Sequence, residues 1–315
     1  MDNIKRFGLA VQSLSRRLTE VFSALGDEDK NRIREIRLRS RSPVVVMTEK
    51  GAEFVMNSGR LTRVYSELLI KTDEHEIEEI FKRLCGYSVH SFKDAINRGY
   101  ITVAGGHRAG IAGTAVTENG NVTAVRDICA INLRIAREIK GASDEIYKSE
   151  FSNGLCSVII AGPPASGKTT VLRDLTRRLS DCRAGNCYKT FVCDERGEIG
   201  ASFLGIAQND LGMNCDLLTS YPKSEGIMIG LRSFSPDIII CDEVATNQEL
   251  EAVEAGVNSG VCFALSIHAR SEKELKTKLA LKKLLMTGEF SKVILLSGKN
   301  VGKVEKIFGA GELVA

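Results

Sequence analysis

Apolar positions follow two different rhythms along this chain, and the change between them near residue 150 divides it. Residues 9–24 carry Leu9, Val11, Leu14, Leu18, Val21 and Phe22 at helical spacing, which predicts a helix. Short alternating segments at 33–38, 44–47 and 54–56 read as strands, the last closed by the turn residues Asn57, Ser58 and Gly59. Helical spacing returns over 74–85 and 88–97. A β-meander is predicted over 99–137, with strands at 100–103, 110–116, 122–125 and 131–135 and a hairpin turn at Glu118, Asn119, Gly120 and Asn121. Gly105, Gly106 and Gly110 are assigned to tight turns within it. Residues 1–150 therefore read as an α+β domain.

Beyond residue 150, continuous apolar runs at 157–161, 190–193, 237–241 and 261–266 alternate with helical stretches at 168–180, 223–233 and 247–258. Strands without polar alternation are buried on both faces, as in a mostly parallel sheet with helices on both sides. Two further strands, 293–296 and 304–308, suggest a hairpin. The boundary is expected between Lys140 and Gly154, giving a 1–150 domain and a 151–315 α/β domain.

Composition narrows the class. Of 315 residues, 43% are hydrophobic and 26% charged, as in a soluble globular protein. With 43 basic and 40 acidic residues and a net charge of +3, the balance is too even for a nucleic-acid surface, and no nucleic-acid partner is expected. No run reaches the length of a membrane span, and the first residues carry no sustained apolar stretch of the kind a secretory signal needs. A cytoplasmic protein, able to associate with a membrane complex, is expected. Of nine cysteines, Cys156, Cys193, Cys241 and Cys262 lie in or beside apolar strands and read as buried thiols of a reducing compartment. Cys182 and Cys187 flank a loop, but no second pair at zinc-site spacing accompanies them.

Four motifs carry chemistry. Gly162, Pro163, Pro164, Ala165, Ser166, Gly167, Lys168 and Thr169 fit the phosphate-loop pattern G-x-x-x-x-G-K-[ST] at every fixed position, with Thr170 following. The glycines let backbone N–H groups turn around phosphates, Lys168 adds a charge on the β/γ-phosphates, and the Thr169 hydroxyl ligates Mg²⁺. The flanking strand and helix supply the required context and a helix N-terminus. ATP and Mg²⁺ are thus the expected ligands. The second motif is the apolar strand ending in Asp242 and Glu243, the form of a Walker B motif: Asp242 would hold Mg²⁺ with Thr169, and Glu243 would polarise water. The third, after 190–193, is Asp194, Glu195, Arg196, Gly197 and Glu198. If its strand neighbours the phosphate-loop strand, Glu195 or Glu198 becomes a rival base, and sequence leaves the two possibilities open. The fourth ends a strand in Ser266 and His268, with His268 placed as a γ-phosphate sensor. Each acidic or histidine motif alone also fits a solvated strand end or a helix N-terminal acidic pair.

Together these motifs resemble the RecA-like (ASCE) P-loop ATPases of the type II and type IV secretion and pilus-retraction branch, in the order P-loop, acidic box, Walker B, histidine box. A finer resemblance, to the stage III sporulation protein AA family, covers roughly residues 30–310. It is carried by 189–198, 221–228, 231–237 and 266–269, and in the first half by 99–110 and 131–138. That resemblance implies a hexameric cytoplasmic ATPase, peripheral at the inner face of a membrane on the mother-cell side. It also implies integral membrane proteins of a sporulation channel as partners. It makes Arg108, Arg134 and Arg137 candidates for an arginine donated across a subunit interface. Arg37, Arg39 and Arg41, at period two, would form a further stripe on one strand face. Secretion ATPases usually carry Gly-Glu after the Walker B strand, where this chain has Asp242 and Glu243. Val244, Ala245 and Thr246 also depart from the family's expected Ile-Gly. The rival readings are a RecA-like nucleic-acid motor, an ATP-dependent scaffold without turnover, and, further off, a small-molecule kinase.

Overall fold

The computed structural model describes residues 3–184 and 187–314. The chain forms two compact units, Met1–Arg137 with Phe203–Gln208, and Glu138–Ser202 with Asn209–Ala315.

In the first unit, helices α1 (Asn3–Gln12), α2 (Arg16–Ser23) and α3 (Asp27–Arg32) lead into strand β1 (Ile33–Arg39). The single helix predicted over 9–24 is broken because Ser15 caps α2, its hydroxyl accepting from Leu18 N while donating to Glu76 Oε1 at 2.6 Å. Leu14 stays buried at the break, so the apolar spacing runs on through it and hides the interruption. Strands β2 (Ser42–Pro43) and β6 (Lys71–Thr72) pair with each other. The main sheet takes β3 (Val45–Thr48), β4 (Gly51–Val55), β5 (Leu61–Thr62), β7 (Tyr100–Val103), β8 (His107–Glu118) and β9 (Asn121–Arg134) with β1. Its order is β5-β4-β3-β1-β9-β8-β7, antiparallel throughout.

One face of that sheet, with Ile36, Leu38, Ile101, Ala109, Ile131 and Leu133, packs on Phe7, Leu18 and Phe22 and on Ile77 and Ile80 of α4 (Glu74–Leu84). The stretch predicted as a helix over 88–97 is a 3₁₀ turn, Val89–Phe92, followed by the short α5 (Lys93–Asn97). The two strands expected at 122–125 and 131–135 are one strand, β9. It runs on through polar residues, with a bulge near Asp127, because its outer half is exposed. Asn119 and Gly120 at φ 51° and 80° form the predicted hairpin turn. Gly105 and Gly106 also have positive φ, but Gly110 lies within β8 opposite Asn132 and is no turn residue. Buried Arg6 donates to Gly105 O at 3.2 Å and to Gln208 O at 3.1 Å, tying α1 to both.

In the second unit, α6 (Asp144–Glu150) precedes β10 (Ser157–Gly162), α7 (Lys168–Ser180), β11 (Thr190–Asp194) and β12 (Cys215–Thr219). Then come α8 (Lys223–Ser233), β13 (Ile238–Cys241), α9 (Asn247–Asn258) and β14 (Cys262–His268). The last elements are α10 (Glu272–Thr277), α11 (Leu279–Met286), β15 (Phe290–Leu296), β16 (Val304–Gly309) and α12 (Ala310–Val314). The sheet order is β12-β11-β13-β14-β10-β15-β16, parallel except for the β15–β16 hairpin. β10, β11 and β13 are buried at every position. Alternate residues serve opposite faces. Ile159, Ala161, Phe191, Phe263 and Leu265 join Ile227, Val253 and Leu281 from α8, α9 and α11, while α7 lies against β10, β11 and β14. β12 escaped prediction because it is a half-exposed edge strand, and α10 and α11 because they are short. Cys156, Cys193, Cys241 and Cys262 are free thiols, and burial pushes the Cys156 thiol up to about 11. Cys182 and Cys187 are joined as a disulfide.

Two outcomes follow from the packing. A Cβ at Gly256 in α9 would sit 2.5 Å from Phe263 Cζ. Gly256→Ala should therefore cost about 1–3 kcal/mol in urea unfolding, against the gain of about 1 kcal/mol that alanine brings to an open helix position. His107 is fully buried, its Nδ1 accepting from Ala136 N, and burial with Arg6 nearby lowers its pKa to about 4. A depressed folded-state pKa means stability that is present above the unfolded value near 6.5 and lost as pH falls through about 4. Wild type should lose roughly 2 kcal/mol more than His107→Gln between about pH 7 and 4.5, read by urea unfolding across that range.

Candidate functional site

The loop between β10 and α7 is built around two glycines that nothing larger can replace. A Cβ on Gly162 would lie 2.4 Å from Ser166 Oγ. One on Gly167, at φ 93°, would lie 2.8 Å from Gly302 N, which donates to Ser166 O at 2.7 Å. Ala165 is left-handed at φ 61°, a conformation that costs a non-glycine residue about 1–3 kcal/mol. Ser166 Oγ is buried without a hydrogen-bond partner. A strained crown, a cradle closed to any Cβ and an orphaned hydroxyl fit a site shaped for a ligand rather than for its own packing. Pro164 and Ala165 are exposed at the crown, and Thr170 is half-buried in the first turn of α7.

Lys168 is only 7% exposed. Its ammonium donates to Gly162 O and Pro163 O, both at 3.0 Å, and to His268 Nδ1 at 3.2 Å. Burial lowers its pKa, against the raising influence of Asp242 and Glu243. The other ring nitrogen of His268, Nε2, faces Glu243 Oε1 at 3.2 Å. His268 stands here because β14 pairs in parallel with β10, His268 opposite Gly162. Thr169 Oγ1 donates to Asp242 Oδ2 at 2.9 Å. The other oxygen, Asp242 Oδ1, accepts from the Ser266 hydroxyl and from Glu243 N at 3.0 Å, and Glu243 N also donates to Ser266 Oγ at 2.9 Å. The structure thus brings Lys168, Thr169, Asp242, Glu243 and His268 into one hydrogen-bonded set.

The acidic box stands differently from the arrangement considered in sequence. β11 does not neighbour β10, since β13 and β14 lie between them. The strand beside the loop is β14, whose Ser266 in sequence only ends a motif and here holds the Asp242 carboxylate. Asp194, 2% exposed, accepts from the backbone N–H of Glu198, Ile199 and Gly200 at 2.8, 3.1 and 2.8 Å. Burial raises its pKa in spite of these bonds. Arg173 holds the same turn by donating to Glu198 O and Ile199 O at 2.6 and 3.0 Å. Glu195 lies 3.7 Å from Lys223 Nζ, and Arg196 reaches Glu243 Oε2 at 3.3 Å. Asp194 and Lys223 are polar groups that sequence reasoning left without a role. Their only signal was an acid and a lysine beside apolar strand ends.

The arginines belong to the first unit. Arg108 and Arg134 are cross-strand partners on β8 and β9, and Arg134 in turn is opposite Glu35, 3.5 Å away. Arg108 stacks 5.0 Å over the Tyr100 ring. Arg37 and Arg39 share that sheet face by register, whereas Arg41 lies outside β1 at φ 59° and pairs with Glu74. Arg137 donates to Lys30 O at 3.3 Å and Ile33 O at 2.8 Å, holding the junction of α3 and β1, and burial lowers its pKa.

Comparison with known proteins places this geometry. The family model for "Sporulation stage III, protein AA" matches residues 8–313. A Bacillus subtilis (strain 168) relative, stage III sporulation protein AA, is 33% identical over 298 residues, covering 94% of this chain and 92% of its own. Among solved structures, the Legionella pneumophila ATPase DotB superposes with a TM-score of 0.51 at 15% identity, over 89% of this chain and 74% of DotB. The pilus retraction motor PilT, solved with bound ADP, superposes with a TM-score of 0.51 at 14% identity, over 84% of this chain and 74% of PilT. The fold is therefore that of the RecA-like secretion ATPases.

Asp194→Ala should free three amides, two of them buried, and lower stability by about 2–4 kcal/mol in urea unfolding. Amide exchange should quicken first over 195–200, because Asp194 holds that turn by its backbone.

Proposed function

The chain belongs to the stage III sporulation protein AA family, and on that premise we propose that it hydrolyses ATP to ADP and phosphate as an oligomeric secretion-type motor energising a membrane channel complex in endospore formation. The observation that carries the reading is the single set linking Lys168, Thr169, Asp242, Glu243 and His268. The loop amides and Lys168 take the phosphate charge, in a setting where burial has stripped the ammonium of water. Thr169 and Asp242, already in contact, are the residues to hold Mg²⁺, which when bound would offset charge on the β- and γ-phosphates. Glu243 is the better-placed base. It touches His268, itself against Lys168, whereas Glu195 faces Lys223 and the Glu198 backbone is bound to Arg173. As base, Glu243 accepts a proton from water while the water oxygen bonds to the γ-phosphorus and the bond to the β–γ bridging oxygen breaks. His268, between Lys168 and Glu243, is placed to sense the γ-phosphate.

The trans arginine is assigned to Arg108 or Arg134, which stand on a sheet face, rather than to Arg137, whose guanidinium holds backbone carbonyls. Self-association, as a hexamer in the family reading, and integral membrane proteins of the channel are the proposed partners. No helix among the described residues is long and apolar enough to cross a membrane, which suits a peripheral place at the cytoplasmic face.

The test is the steady-state ATP hydrolysis rate as a function of protein concentration, with Lys168→Ala alongside. A specific rate that rises with concentration and falls about a hundredfold or more in the variant is expected. Tight ATP binding without turnover at any concentration would favour a scaffold. A rate stimulated by single-stranded nucleic acid and suppressed by salt would favour a nucleic-acid motor.

A further inference from the structure

Lys223 opens α8 and is 7% exposed, yet the phosphate site does not use it. Its ammonium donates to the backbone oxygen of Glu243 at 2.6 Å and lies 3.5 Å from Glu249 Oε1 and 3.7 Å from Glu195 Oε2. The ammonium thus makes one hydrogen bond and two ion pairs, to groups from three different segments. These are the end of β13, the first turn of α9 and the turn after β11. Glu249 cannot swing away, because its carboxylate accepts from Ala245 N and Thr246 N at 2.8 Å each and so closes the cap of α9.

Glu243 needs such a hold. Its φ of 35° lies in the left-handed region, which costs a residue with a long side chain. On one side its N–H is held by Ser266 Oγ and Asp242 Oδ1. On the other, Lys223 holds its carbonyl. A residue held at both its N–H and its carbonyl aims its side chain in one direction, here toward His268 and Arg196. A buried ion cluster is a weak source of net stability, since desolvation offsets much of the Coulombic gain. What it supplies is fixed geometry.

The geometry points to Lys223 as a positioning residue that clamps the Glu243 carbonyl and so aims the Glu243 carboxylate, with Glu195 and Glu249 as its counter-charges. For its effect on rate this rests on the hydrolytic reading above; for its effect on the Glu243 backbone it does not.

Lys223→Met removes the charge and keeps the stem. Wild type, Lys223→Met, Glu243→Gln and the double variant are compared by single-turnover ATP hydrolysis and by affinity for a fluorescent ATP analogue. Amide exchange over 240–246 and thermal unfolding are followed in parallel. Lys223→Met should slow hydrolysis about tenfold or more with affinity changed less than about threefold. In the Glu243→Gln background it should add less than about twofold, because two substitutions acting through one group are not additive. The amides of Glu243 and Val244 should exchange faster while those of 157–162 do not change. Full additivity with Glu243→Gln, or unchanged exchange at 243 and 244, overturns the assignment. If wild type binds nucleotide without hydrolysing it, the hydrolytic reading falls and the exchange comparison alone decides on Lys223. Should Lys223→Met fail to fold, Lys223→Gln takes its place in both comparisons.

Discussion

Three strands buried on both faces leave no room for polar side chains except at their ends, and the second unit is organised by that constraint. β10, β11 and β13 are apolar and inaccessible almost along their whole length, with their backbone groups satisfied by the sheet. Polar groups are thereby kept to the strand ends, and the charged ones stand at the C-terminal edge, where Gly162, Asp194 and Asp242 emerge. Because the strands are parallel, those ends lie side by side. Which of them touch is then a matter of strand order: β14 sits between β10 and β13, so His268 links Lys168 to Glu243 and Ser266 holds Asp242.

The charged groups gathered there are buried enough that each must be answered locally, and each is answered in a different way. Lys168 is met by two loop carbonyls and an imidazole. Asp194 is met by three amides of the turn it holds, so its carboxylate shapes backbone and is not offered to a ligand. Lys223 is met by a carbonyl and two carboxylates. The outcome is a cluster in which Thr169, Glu243 and His268 are each held by a neighbouring side chain. Preorganisation of this kind matters because a carboxylate aimed before the reaction has no reorientation to make during it.

The first unit solves a different problem. An antiparallel sheet with one face on a helical core leaves the other free of any demand for apolar residues. Arg37, Arg39, Arg108 and Arg134 occupy that face, with Glu35 among them. Arg137, two residues past β9, has instead been drawn into holding carbonyls at the start of β1. Arg137 is thus set apart from the strand arginines by the two backbone oxygens that it holds.

The sequence by itself determined the apolar strand cores, the helices 168–180, 223–233 and 247–258, the glycine-bounded loop between β10 and α7 and the acid pair after β13. Each of these is a local pattern whose physical cause lies within a few residues: unbroken burial, helical spacing, or glycines that alone fit a tight turn. The tertiary structure alone decided that two strands separate β11 from the loop's strand, that Ser266 holds Asp242, and that Lys223 reaches Glu243 across twenty residues of chain. It also decided where a helix breaks at Ser15, since that hydroxyl is fixed by Glu76 from a distant helix. Contacts of this sort depend on strand order and register. No single segment encodes them, because the same apolar run fits equally well at any interior position of a parallel sheet.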